Sequence, residues 1–219
     1  MNGASYVDAY RSMRGGALYL IITFLLMSIS AIIILLKILV TYYMHYYEKM
    51  SYTTGYEVPS FVKLLELVVP IPLTVLMSLI IVGGVIGAMG LSGRFVPGLR
   101  KLAELNPEFK TASTLVHVGL FWGTILMVTG AALSFVFVGL LIMVVAITLM
   151  TIGEIGLIML GLKLYNVEKS GLYLMAGGLF VIGVFVPIAS FLAWILLYVA
   201  LGNSITRRAE TIAPTTSLH

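Results

Sequence analysis

The sequence predicts an all-α protein, a polytopic transmembrane helix bundle of five spans, or six if the last apolar segment splits at Pro187. Two observations predict it. Of 219 residues, 60% are hydrophobic and only 10% are charged, with a mean hydropathy of +1.09, where a soluble domain carries about 25% charged residues. The apolar residues also fall in runs long enough to cross a bilayer, which takes roughly 20 residues per helix. So few charges cannot cover a globular surface, and lipid must be part of the solvent. One bundle over residues 1–203 accounts for the length, and residues 204–219 read as a disordered polar tail.

The first span runs from Ala17 to Val40, after a polar stretch holding Arg11 and Arg14. It is far longer than the roughly 7–15 apolar residues of a signal peptide and reads as a retained span. Tyr42, Tyr43, Tyr46 and Tyr47 follow as an aromatic cluster of the headgroup level. Met50–Ser60 reads as a loop from its Ser, Thr, Gly and Pro.

The second span covers Pro70–Leu91, with Pro70 and Pro72 in its first turn, where a missing N–H costs little. Gly83, Gly87 and Gly90 line one face and invite close packing by another helix. Arg94–Lys110 is the longest charged connection. Within it, Asn106-Pro107-Glu108 reads as a helix start: an N-cap Asn, Pro at the first position and an acid near the positive dipole end.

Ala112–Tyr165 is too long for one crossing and divides near Ser134–Gly139 into a tight hairpin. Gly119, Gly123 and Gly130 supply its packing face. Gly171–Leu201 is long for one span and short for two. Pro187 sits in its middle, and Gly202-Asn203 reads as its stop.

Lys and Arg placement sets the orientation. Arg11 and Arg14, then Arg94, Arg100, Lys101 and Lys110, then Lys163 and Lys169 occupy alternate connections. The rule puts these connections and the N-terminus in the cytoplasm of a multi-pass cell-membrane protein. A single last span would place Arg207 and Arg208 outside, against the rule; two half-spans would return them inside. Segment length favours five spans and charge favours six.

The net charge of +4 sits beside apolar runs, where topology determinants belong, and no basic stripe on a soluble face exists to carry nucleic acid. Cysteine is absent, which excludes disulfides, thiolate metal sites and cysteine nucleophiles. No phosphate loop, dinucleotide fingerprint, zinc-protease or serine-hydrolase motif occurs, so no catalytic residue, cofactor or metal is expected.

Glu154 is the residue to single out. It lies well inside the fourth span, where an ionised carboxylate in hydrocarbon is costly, so it must face the bundle or carry a proton. Thr148, Thr151 and Glu154 recur every three residues as a polar stripe. One reading is a proton or cation site; the plainer one is a neutral carboxyl hydrogen-bonded to a neighbouring helix as glue. His117 shares a face with Thr114 and Thr124 in the third span, offset from Glu154 by an expected five residues in depth. It lacks a second ligand at metal-binding spacing.

The runs LRKLAELNPEFKTASTL (Leu99–Leu115) and GLKLYNVEKSGLY, continuing to Gly202, together with the Gly-rich hairpin between them, resemble an archaeal multi-pass membrane family of unknown function, domain-of-unknown-function family 973. The resemblance covers Gly90–Asn203 and rests on Gly, aromatic and Pro positions. It implies a multi-pass fold and an archaeal source, and supplies no activity or site residues. Two function classes remain. One is a non-enzymatic structural or accessory subunit, with membrane lipids and other membrane proteins or its own copies as partners. The other is a small transporter or channel that uses Glu154 for proton or cation coupling.

Overall fold

The computed structural model describes residues 3–54, 73–133 and 137–212, and every regular element among them is helical. Helix α1 spans Gly3–Thr54 and α2 Leu73–Gly90. A π-helical turn, Leu91–Phe95, joins α2 to α3, Val96–Leu105. After a 3-10 turn at Pro107–Phe109 come α4, Lys110–Val116, a second π turn, His117–Phe121, and α5, Trp122–Ala132. Helix α6 spans Phe137–Glu168, α7 Gly171–Gly183 and α8 Pro187–Ile212. Among the described residues five continuous helices are long and apolar enough to cross a membrane: Gly3–Tyr46, Ser78–Leu105, Pro107–Ala132, Phe137–Glu168 and Pro187–Glu210. The apolar helix Gly171–Gly183 is shorter. The protein is therefore an all-α helical bundle.

Several boundaries depart from the sequence reading. The first helix continues through Met50–Thr54, so the expected loop is helical there, and its remainder lies outside the described residues, as do Pro70 and Pro72. The connection Arg94–Lys110 is mostly helix. Its one break is at Asn106, whose side chain accepts from the Glu108 N–H at 3.0 Å, as the N-cap pattern predicted. The last apolar segment does split: α7 ends at Gly183 and α8 begins at Pro187, whose ring has no N–H to continue the preceding helix. Helix α8 then passes through Gly202-Asn203 to Ile212. The tail expected from residue 204 is helical over its first turns, because Ser204, Arg207 and Arg208 are bonded to α6 and α7.

The chain divides into two compact units, Met1–Phe24 with Gly84–His219, and Leu25–Gly83. In the smaller unit, Ser30 and Thr41 donate back to Leu26 O and Lys37 O, which satisfies their hydroxyls within the helix. Tyr42 and Tyr43 meet edge to face.

The larger unit is held by glycine contacts and an aromatic core. A Cβ at Gly119 would lie 2.1 Å from the backbone N of Gly153, so α6 and the α4–α5 helix touch backbone to backbone. Gly123 packs on Met150, and Gly130 on Met143 and the Gly139 carbonyl. Gly87 meets Thr23 and Gly90 meets Tyr19 across to α1. Gly87, Gly90, Gly119, Gly123 and Gly130 thus each sit against another helix. Phe95 and Phe180 contact the Trp194 ring edge to face, at centroid distances of 5.0 and 5.3 Å. Tyr10, Met13, Leu99, Leu102, Phe109, Leu160 and Leu164 are fully buried with them. Outside, Val138, Leu141, Val144 and Val145 of α6 and Ile182, Phe185 and Ile188 around the α7–α8 turn are exposed, an arrangement suited to hydrocarbon rather than water.

Candidate functional site

Glu154 is half-buried, and its Oε1 accepts a hydrogen bond from Ser190 Oγ at 3.1 Å. Ser190 is buried in the first turn of α8, just after Pro187. Its Oγ lies where a side chain at Gly183 would project, so the α7–α8 turn closes over it. The rest of the polar stripe does not join them. Thr148 and Thr151 donate back to Val144 O and Ile147 O, at 3.1 and 3.0 Å. Of the three stripe residues only the carboxyl, with the longest reach, bonds to another helix.

His117 lies closer in depth to Glu154 than the expected five residues. Gly119 abuts Gly153 and Val116 abuts Gly156, which sets His117 level with Ile155. Yet the structure does not bring the two together. The imidazole turns toward α3, where Arg100 Nη2 lies 3.2 Å from Nδ1, and it stacks on Phe121 at 5.4 Å with rings 10° apart. The near-contact of Gly119 and Gly153 occupies the seam, so the flanking side chains leave on either side of it. Thr124 is buried while Thr114 is exposed, because the π turn between them adds a residue and rotates the face they were expected to share.

A second polar cluster carries more interactions and was not singled out from sequence. Glu168 ends α6 with its side chain 6% exposed. Its Oε1 accepts from Tyr10 Oη at 2.7 Å and from Arg208 Nε and Nη2 at 2.9 and 2.5 Å. Arg207 Nη2 lies 3.8 Å from Oε2. The Arg208 guanidinium also covers the Tyr6 ring at 4.5 Å. Below it, Tyr173 and Ser204 share a buried hydrogen bond of 2.9 Å. One carboxylate thus ties α1, α6 and α8 together. The sequence signal was the misfit of Arg207 and Arg208 with the charge rule for a single last span: the hairpin returns them to the end that holds Lys169.

That end collects the chain's cations. Lys163 Nζ donates to Glu108 O, Ser12 Oγ to Arg94 O at 2.8 Å, and Tyr10 to Glu168, so the connections carrying these residues lie together. Ten of the 13 Lys and Arg residues belong to them, all but Lys37, Lys49 and Lys63. Arg14 lies deeper. Its guanidinium sits 4.5 Å from the Tyr198 ring centroid and against Gly202, whose missing side chain admits it. Gly202 is thus a packing glycine rather than a helix stop. The buried Arg14 Nε has no hydrogen-bond partner among the described residues.

No curated protein and no solved structure matches the chain. A family model described as "Protein of unknown function (DUF973)" matches residues 7–219, well beyond the stretch that carried the resemblance. With nearly its whole length matched, from the first turns of α1 through α8, the chain belongs to the DUF973 family.

Proposed function

We propose that the protein is a non-enzymatic structural or accessory subunit of the cell membrane, with its N-terminus in the cytoplasm, that packs against other membrane proteins or its own copies. The observation that carries this reading is the Glu154–Ser190 hydrogen bond, a carboxyl deep in α6 engaged with the neighbouring α8. Engaged in this way, an intramembrane acid acts as interhelical glue. The gathering of ten cations at the end that holds Tyr10 supports the orientation, since positive residues are retained on the cytoplasmic side. The test is purification from the native membrane in mild detergent after crosslinking. The reading expects a defined stoichiometric complex or homo-oligomer. A lone monomer that conducts protons when reconstituted would overturn it.

A second reading is a small transporter or channel using Glu154. What favours it is the position of the Glu154–Ser190 pair beside the break between α7 and α8. Transporters place ion sites at such discontinuous helices. Flux through vesicles, lost on Glu154→Gln, is its signature.

A further inference from the structure

A groove of about 530 Å³ opens between α3 and α4 at the cation-rich end. Arg100, Glu104, Lys110, Ser113, Thr114 and His117 supply its polar lining. We propose that this groove binds a singly charged phosphodiester, the headgroup of an anionic phospholipid.

The charge count points to one net negative charge. Arg100 and Lys110 are fixed cations, and Glu104 is a carboxylate on the same groove. The balance admits a phosphodiester and disfavours a polyphosphate. Donor geometry points the same way. Arginine cannot accept a hydrogen bond, so the contact from Arg100 Nη2 makes His117 Nδ1 the acceptor. A neutral imidazole then carries its hydrogen on Nε2, as a donor. Ser113 also lines the groove, and its hydroxyl has no hydrogen-bond partner among the described residues, which leaves it open to a ligand there. Thr114 already donates to Lys110 O.

The surroundings select the lipid as the source of the phosphate. Below the charges the wall is apolar: Val118 lines the groove and is 43% exposed, and Trp122, one turn deeper, is 49% exposed. Both belong to a helix long and apolar enough to span the membrane, so the groove runs from headgroup level toward acyl-chain level. Basic pockets between transmembrane helices on the cytoplasmic side are a known mode of headgroup binding. This inference is independent of the accessory role.

The test uses the purified full-length protein in a non-ionic maltoside, with thermal unfolding followed during titration of dioctanoyl phosphatidylglycerol, dioctanoyl phosphatidylcholine or inorganic phosphate. Phosphatidylglycerol is expected to raise the Tm saturably, with phosphatidylcholine much weaker. Arg100→Gln with Lys110→Gln should raise the half-saturating concentration about tenfold. Both positions are exposed, so the unliganded fold should survive. If the double variant melts early, Lys110→Gln alone should give about a threefold change. Lys101→Gln, on the same helix but outside the groove, should change nothing. An equal response of the double variant and the unmodified protein would overturn the site. Saturation by inorganic phosphate at concentrations matching the lipid would overturn the lipid assignment.

Discussion

Arg208 donates both its Nε and its Nη2 to a single oxygen of Glu168, across 40 residues of chain, and so holds the end of α8 against the end of α6. The Glu168 side chain is nearly buried, while that of Arg208 is 28% exposed. Removing the carboxylate strands a partly buried guanidinium and deprives the Tyr10 hydroxyl of its acceptor. Glu168→Ala is therefore expected to cost roughly 2–4 kcal/mol, toward the lower part of the range for broken buried pairs because Arg208 keeps some water. Arg208→Ala should cost less, since Arg207 and Tyr10 still face the carboxylate. Thermal unfolding in detergent gives the ranking. Limited trypsin cleavage at Arg207 and Arg208, faster in Glu168→Ala, would locate the loosened element at the C-terminal turns of α8. Equal cleavage of both proteins would show that the pair does not hold α8.

Gly119 and Gly178 make a controlled comparison. A methyl group at Gly119 meets the Gly153 backbone at 2.1 Å, whereas at Gly178 it meets nothing within 4 Å. Gly119→Ala should lose about 2–3 kcal/mol or more by prying two backbones apart. Gly178→Ala should be neutral or gain up to about 1 kcal/mol from helix propensity. Gly87→Leu belongs with the first, since Thr23 lies 3.0 Å from the position of its first carbon. Similar melting temperatures for Gly119→Ala and Gly178→Ala would disprove the close seam.

Glu154 distinguishes the two functional readings. A neutral carboxyl and Gln have nearly the same shape, and the Gln carbonyl can accept the Ser190 hydrogen. Glu154→Gln should keep the fold, while Glu154→Leu should lose about 1 kcal/mol. Ser190→Ala should match the Leu variant to within a few tenths, because it removes the same bond. Proton flux measured in vesicles on the Gln variant separates glue from transport: only the transport reading expects a flux in the unmodified protein that Gln abolishes.

Topology is open to labelling, the chain being free of cysteine. Lys101→Cys, Lys169→Cys and Thr206→Cys should all be shielded from an impermeant thiol reagent in intact cells, because α7 and α8 return the chain to the end that holds Glu168. Ser51→Cys should react. Labelling of Thr206→Cys with protection of Lys169→Cys would contradict the return of α8 to that end.

The sequence by itself determined the solvent and the long apolar helices, though not where each helix ends. Each apolar run is long enough to settle its own transfer into lipid, a property summed residue by residue along one segment. The Gly87–Gly90 and Gly119–Gly130 faces were legible for the same local reason, since small residues at helical spacing record a close neighbour without naming it. The Asn106 cap was legible because its acceptor and donor are two residues apart. The tertiary structure alone decided which polar groups meet. His117 reaches Arg100 and not Glu154, Glu154 reaches Ser190, and Tyr10 reaches Glu168 across 158 residues. Those pairings depend on how each helix is rotated about its axis. The π turns at Leu91–Phe95 and His117–Phe121 add to that rotation in a way that regular periodicity does not carry.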